Sequence, residues 1–293
     1  MGVSSLFQNL IAGLIVGSVY GLIALGYLAI YRSSGVVNFA QGAFAMLGAL
    51  ITLYLLNDRH MNYLLAAAIA IGGTTILGVL VYLLVIARLR SDFVITQIMA
   101  TLGVGMLFEG FVLVVRGGYP QSLPAFSSDK PFRIGSVSIP PQGVWVVLMA
   151  AGVLIGLYFL NNRTLFGKKM TATATDPMAA SLVGISRNLM IGWSFAISAA
   201  IGASAGIFLA AMIPMNYASG SGLGLKGFIA AILGGWGKSS GAVVGGLALG
   251  VVETFGASVL PAGYKDAISF FLLIVILYFR PKGIMGSSLV EGD

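Results

Sequence analysis

Nine apolar runs divide this chain, at approximately 6–31, 36–56, 62–87, 93–115, 143–160, 188–213, 225–236, 241–260 and 267–279. A helix needs about 20 apolar residues to cross a hydrocarbon core roughly 30 Å thick, so the longer runs predict membrane-spanning helices. The run at 225–236 is the exception. At 1.5 Å per residue it reaches only about 18 Å, which predicts a half-helix or a re-entrant segment. If it does not cross, every later element changes sides.

Composition agrees with a life in lipid. Of the 293 residues 58% are hydrophobic and 9% are charged, and the mean hydropathy is +0.99; an ordinary soluble domain carries about 25% charged residues. The length admits about eight to nine spans with short connections, so the whole chain, 1–293, reads as a single transmembrane domain with no room for a soluble catalytic one. The expected fold is all-α and polytopic. Cysteine is absent and His60 stands alone, which excludes thiolate chemistry, disulfides and a histidine metal cluster. The net charge of +7 does not point to nucleic acid, because the basic residues are scattered between apolar runs and form no stripe. No cofactor is expected.

The basic residues instead report topology. No Lys or Arg precedes Arg32, so the first run lacks the basic flank of a cleaved signal peptide and reads as a retained span with its N-terminus outside. Nine crossings then put Arg32, Arg88, Arg90, Arg163, Lys168, Lys169, Arg187, Lys238, Arg280 and Lys282 in the cytoplasm. Outside lie Arg59, Arg116, Lys130, Arg133 and Lys265, with Lys226 near the outer surface. Ten against six satisfies the positive-inside rule.

Many of the 41 glycines fall inside the runs, among them Gly13, Gly17, Gly21, Gly72, Gly73, Gly78, Gly202, Gly206, Gly245, Gly246 and Gly250. Small residues let membrane helices approach closely, and close helix packing accounts for most of these positions. GAFAMLG at 42–48 resembles GFIAAILG at 227–234; each follows a glycine-containing polar break, and the topology runs them in opposite directions. An inverted pseudo-repeat with interrupted helices is a common transporter design; a chance match of glycine-rich segments is the competing reading. GWGKSSG, 235–241, is no phosphate loop, since Ile232 stands where the pattern needs glycine, and it reads as a short loop between spans. The stretch SGSGLG, 219–224, reads as a flexible outer turn after Pro214.

Residues 161–187, NNRTLFGKKMTATATDPMAASLVGISR, form the longest polar interval on the cytoplasmic side. Asp176 suits a helix N-cap, Pro177 the first turn, and Gly184 a left-handed C-terminal stop. The helix between them has about two turns and is too short to stand alone in water. It must lean on this protein's own helix ends or on a cytoplasmic partner.

That interval, with GSVYGLIALGYLAIYRSSGVVNFAQGAFAMLGA at 17–49 and RPKGIMG at 280–286, resembles the permease subunits of branched-chain amino acid ABC importers. The resemblance runs over essentially the whole chain and is most specific at Asn-Phe-Ala-Gln-Gly. It implies that Asp176 to Gly184 is the coupling helix that docks on the ATPase, with Gly167, Asp176, Pro177, Ala179, Ala180 and Gly184 as its candidate residues. Thr173-Ala174-Thr175 stands where the wider importer pattern has Glu-Ala-Ala. The implied partners are a second permease, two cytoplasmic ATPases that use the ATP, and a periplasmic substrate-binding protein. The implied location is the inner membrane, and the implied substrates are leucine, isoleucine and valine, with urea or short amides as a close alternative and sugars as a more distant one.

Polar residues inside spans usually face other helices or water. Asn38 and Gln41 are three apart and share a helix face; they either line a path or partner a broken helix. Gln97, with Thr96 and Thr101, forms a polar stripe that serves as helix glue or pore lining. Glu109 lies roughly on one face with Arg116, which predicts a salt bridge in preference to a substrate contact. Glu253 has no local partner, and pairing with Lys226 or with the second permease competes with proton coupling. The outer interval 117–143 carries five prolines, and 132–139 alternates as a small hairpin would. The rival function is an ion-coupled secondary carrier in which Glu109 or Glu253 titrates.

The charge asymmetry generates a direct test. A reporter fused to the C-terminus should score as cytoplasmic, and Ser4→Cys should react with an impermeant thiol reagent from outside. Labelling of that cysteine only from inside would reverse the orientation.

Overall fold

The computed structural model describes residues 3–89, 93–125, 127, 130–134, 137–261 and 264–286. The apolar runs become α1 (Val3–Ser34), α2 (Gln41–Asn57), α3 (Tyr63–Leu84), α4 (Val94–Arg116), α5 (Pro141–Arg163), α8 (Arg187–Ala210), α9 (Ser219–Gly234), α10 (Ser239–Val259) and α11 (Lys265–Phe279). Between α5 and α8 stand two short helices, α6 (Leu165–Thr175) and α7 (Pro177–Leu182). An antiparallel hairpin of β1 (Phe132–Ile134) and β2 (Val137–Ile139) pairs Phe132 with Ile139, as the alternation there predicts. The chain is thus an all-α polytopic membrane protein. Six described helices are long and apolar enough to cross a bilayer, while α2 and α9 are shorter.

The two ends of the bundle can be told apart by contacts. At one end Arg32 Nη1 reaches Ser239 Oγ (3.4 Å), joining the end of α1 to the start of α10, and Asn161 of α5 shares a cavity with both. At the other, Asp58 after α2 pairs with Arg116 of α4, and Gln8 of α1 exchanges hydrogen bonds with Ser138 of β2. The chain passes back and forth between these ends, with α2 and α9 starting part-way along the bundle. The C-terminal segment returns to the Arg32 end: Ile284 and Met285 donate their amides to the carbonyls of Leu233 (2.8 Å) and Gly234 (3.1 Å), at the foot of α9. The RPKGIMG segment therefore satisfies carbonyls that the end of α9 would leave orphaned.

α9 is longer than its apolar run implied. Its 16 residues span about 24 Å, because SGSGLG at 219–224 is the first part of the helix, not a flexible turn. The reason is tertiary: a Cβ on Gly224 would lie 3.4 Å from Gly42 Cα and one on Gly220 3.2 Å from Ala43 Cα, so these glycines mark a backbone seam with α2. In the other direction, the run at 36–56 overstated a helix that begins only at Gln41.

The core is built by small residues that let helices touch. α1 and α10 cross along a seam where a Cβ on Gly17 would stand 2.7 Å from the Gly246 carbonyl oxygen, and one on Gly13 2.7 Å from Val251 Cα. α2 meets α8 in the same way at Gly48 and Ala203, and Gly206 abuts the Ala45 carbonyl. Gly72 and Gly73 depart from the packing expectation, since nothing stands within 4 Å of a Cβ placed on either. Burial follows these seams. The hydropathy windows of α1 and α8 are 72% and 78% buried, whereas that of α4 is 11% buried.

Gly206→Val should therefore prevent accumulation in the membrane, because Ala45 backbone cannot yield to a branched side chain. Gly72→Ala should leave the amount and the thermal midpoint of the purified protein within error. Normal levels of Gly206→Val would contradict the α2–α8 seam.

Candidate functional site

The chain breaks twice in the interior, and the two breaks are copies of one another. After α1 the backbone turns at Gly35 (φ +71°) and returns into the bundle, so that α2 starts at Gln41 level with Ser198, half-way along α8. After α8 it turns back at 211–218 and starts α9 beside Gly42. The residues entering the helices are Asn38-Phe-Ala-Gln-Gly42 and Asn216-Tyr-Ala-Ser-Gly220. In the first, Asn38 Oδ1 accepts from the Ala40 amide (3.1 Å) and the Asn38 carbonyl from the Gln41 amide (3.2 Å). In the second, Asn216 Oδ1 accepts from the Ala218 amide (3.1 Å) and the Asn216 carbonyl from the Ser219 amide (3.1 Å). The inverted pseudo-repeat thus has the register Gly42 to Gly220. The sequence match of 42–48 with 227–234 was displaced, because the repeated element is the Asx-type helix entry and not the apolar run behind it.

Asn38 and Gln41 are fully buried. Gln41 Nε2 donates to the Ser198 carbonyl (3.1 Å), while Ser198 Oγ lies in hydrogen-bond range of both Gln41 Oε1 and the Gly26 carbonyl (2.8 Å), sharing its one proton. Gly26 leaves the space this amide occupies. Gln41 therefore locks the start of α2 to α1 and α8. Asn38 Nδ2 has no partner among the described residues.

α4 straps the two breaks. Thr101 Oγ1 accepts from the Phe39 amide (3.1 Å), Gly105 faces Phe39 and Ala40, and Glu109 Oε1 accepts from the Ser221 amide (2.6 Å). These residues recur every four positions, so one face of the helix carries them all. The expected Glu109–Arg116 pair does not form. Arg116 bonds Asp58 and Gln121 and lies over Tyr54, while the Glu109 carboxylate caps the first turn of α9, where orphan amides and the helix dipole favour an anion. Gln97 lies at the Arg32 end of this face, bordering a cavity of about 140 Å³ with Arg187 and Asn188.

Glu253 is the centre of a separate buried cluster. Its carboxylate receives Lys226 Nζ (2.8 Å), Lys265 Nζ (3.0 Å), Tyr20 Oη (3.1 Å) and Ser269 Oγ (3.4 Å), and Lys226 also pairs with Asp266 (3.0 Å). The pairing with Lys226 is one of the two the sequence offered; Lys265 and Tyr20 are additions that linear spacing could not show. Two lysines and two carboxylates leave the cluster electrically balanced, and it ties α1, α9, α10 and α11 together.

At the Arg32 end, α6 and α7 form a corner. Gly167 abuts the Leu160 carbonyl and Asn161, so α6 folds back directly on α5. Asp176 Oδ1 accepts from the amides of Met178 and Ala179 (both 2.9 Å), and Pro177 occupies the first position of α7. Gly184, at φ +78°, closes α7: its amide bonds the Ser181 carbonyl (3.0 Å) and that of Ile185 the Ala180 carbonyl (3.0 Å), the Schellman arrangement. Ala180 is buried, whereas Met178, Leu182 and Val183 are each more than 70% exposed. An apolar tip is thus held out at the end of a stiff corner. The sequence reading missed α6, because of its buried positions Gly167, Met170 and Thr173, spaced three apart, only Met170 carries a large apolar side chain.

The family model described as the branched-chain amino acid transport system permease component matches residues 9–277. The chain belongs to this permease family. Among its relatives it is 32% identical to the high-affinity branched-chain amino acid transport system permease protein BraD of Pseudomonas aeruginosa, over 97% of both chains. It is 30% identical to LivH of Escherichia coli, over 97% of this chain and 96% of that one. The xylose/arabinose import permease XylH of Sulfolobus acidocaldarius is 30% identical over 73% of this chain and 59% of that one. Among solved structures, PsaBC from Streptococcus pneumoniae in complex with Fab matches with a TM-score of 0.54 at 10% identity, over 94% of this chain and 92% of that one, a likeness of fold alone.

Two variants of the permease separate structural from transport roles. Gln41→Leu strips the Ser198 carbonyl of its buried donor, at a cost of about 1–3 kcal/mol, and should lower the thermal midpoint and the membrane level. Glu253→Gln takes the buried carboxylate away from the partly exposed Lys226 and Lys265 and should lower the thermal midpoint, and Lys265→Gln in addition should restore part of it. Normal stability of Glu253→Gln with loss of uptake alone would instead indicate a titrating role.

Proposed function

We propose that this chain is the membrane-embedded permease of an ABC importer for branched-chain amino acids in the inner membrane. The observation that carries the proposal is end-to-end similarity to BraD and LivH, both named as high-affinity branched-chain amino acid permeases. The similarity to the sugar permease XylH covers less of either chain and makes sugars the second reading. Urea or short amides remain the alternative from the sequence. The chain itself makes and breaks no bond. Two cytoplasmic ATPases hydrolyse ATP, a second permease completes the path, and a periplasmic protein delivers substrate. The N-terminus lies outside and the end bearing Arg32, α6 and α7 lies in the cytoplasm.

Substrate moves along the side of α4 that carries Gln97, Thr101 and Glu109, where the helix breaks present backbone polar groups at mid-depth. α4 is the least buried of the candidate spans, and it holds the breaks through the side chains of Thr101 and Glu109. Shifting α4 costs little packing and uncovers both breaks together. Gln41 and Glu253 act as fixed joints around that movement. The engaged state of both carboxylates favours the ATP-driven reading over an ion-coupled carrier.

The α6–α7 corner converts ATPase closure into that shift. The tip formed by Met178, Leu182 and Val183 inserts into the ATPase, and the Gly167 contact passes force to α5. Asp176→Ala removes an N-cap worth about 0.5–2 kcal/mol, and Gly184→Val forces a β-branched residue into positive φ. The double variant should reach the membrane in normal amount, co-purify poorly with its ATPases and lose substrate-stimulated ATP hydrolysis. Normal uptake with the ATPases fully retained would remove the coupling assignment; uptake that is independent of ATP would favour the secondary carrier.

A further inference from the structure

A groove runs between α1, α5 and α10 on the outside of the bundle. At the Arg32 end it opens as a cavity of about 620 Å³, lined by Arg32 and Lys238 and, along α5, by Leu154, Tyr158, Phe159 and Asn161. Leu154 also borders a second cavity of about 530 Å³ that continues between the same three helices past Val147 and Leu247 to Ile11. From Phe159 to Gly143 the α5 wall extends about 24 Å. One leaflet of hydrocarbon is about 15 Å deep, so the groove is long enough for an acyl chain. Its wall stays apolar throughout, and Tyr158 and Phe159 are each more than half exposed.

Among the described residues the charge at the mouth of the groove has no ionic counterpart. Arg32 bonds Ser239 Oγ (3.4 Å) and Lys238 Nζ bonds the Met285 carbonyl (2.9 Å), both neutral, and neither cation has an ion pair among the described residues. The Ser239 and Ser240 hydroxyls border the same space. Two unpaired cations at the edge of an apolar slot complement one kind of molecule, an anion carrying hydrocarbon. A cytoplasmic protein is a poor fit, because Leu154 lies six residues, about 9 Å, further along α5 than Leu160, inside the span.

We propose that this groove is a binding site for an anionic glycerophospholipid, its phosphate between Arg32 and Lys238 and an acyl chain along α5. Basic pockets between membrane helices hold such headgroups, each cation contributing about a fivefold gain in affinity. The bound lipid fills the gap between α5 and α10 and so joins the helix that carries the coupling corner to the core formed by α1 and α10. The site does not depend on which substrate the permease moves.

The test uses the whole transporter, this chain purified with its associated subunits, and native mass spectrometry against phosphatidylglycerol and phosphatidylcholine. Wild type should retain phosphatidylglycerol in preference. Arg32→Gln or Lys238→Gln should weaken it about fivefold and the pair about thirtyfold, while Arg187→Gln, a cation of the same end outside the groove, should change nothing. Ala151→Trp, which blocks the exposed slot without touching the cations, should also weaken retention and covers the case in which the double variant fails to fold. The proposal is overturned if phosphatidylcholine is held equally well, or if the double variant and Ala151→Trp both bind as wild type. It fails too if inorganic phosphate alone displaces the lipid, or if no lipid is retained because the second permease covers the groove.

Discussion

Every backbone amide and carbonyl inside a bilayer must find a partner within the protein, since hydrocarbon offers none. This chain breaks two helices at mid-depth and partners amides at each break in the same way, and the rest of the architecture follows from how it does so. Each break carries an asparagine whose side chain accepts the amide two residues on, and Thr101 and Glu109 of α4 accept one further amide at each entry. The two helix starts then lie against each other through Gly42, Gly220 and Gly224, where any side chain would hold the backbones apart.

Close backbone approach is the second consequence. Lipid tails are as apolar as leucine, so association here rests on packing and on polar contacts between helices. The α1–α10 and α2–α8 seams supply packing, and the Gln41–Ser198 and Glu253–Lys226 contacts supply polar ties. Helices outside these seams, α4 and α5 above all, remain largely exposed. Buried core and exposed periphery therefore arise from one distribution of small residues, and the peripheral helices are the ones that carry the strap across the breaks and the corner at α6 and α7.

Several features were legible in the residues alone because their cause is local. The caps of α7 follow from Asp176, Pro177 and Gly184, whose geometry is set within a few residues, and the hairpin at 132–139 from its alternation. Glu109 was misread because two partners compete for a carboxylate and only one is near in sequence; the Ser221 amide, 112 positions away, won. The repeat was seen in the wrong register, since GAFAMLG and GFIAAILG are alike in hydropathy while the shared construction is the asparagine entry that precedes α2 and α9.

The sequence by itself determined that this is a helical, many-times-spanning membrane protein, how its polar corner is capped and which family it resembles. Hydrophobicity over 20 residues and capping act along the chain, so a linear reading captures them. The tertiary structure decided where α2 and α9 begin, which side chains close the breaks and what surrounds Glu253. Those depend on which backbones come within contact distance, and in a bilayer that is settled by glycine and alanine seams between helices far apart in sequence.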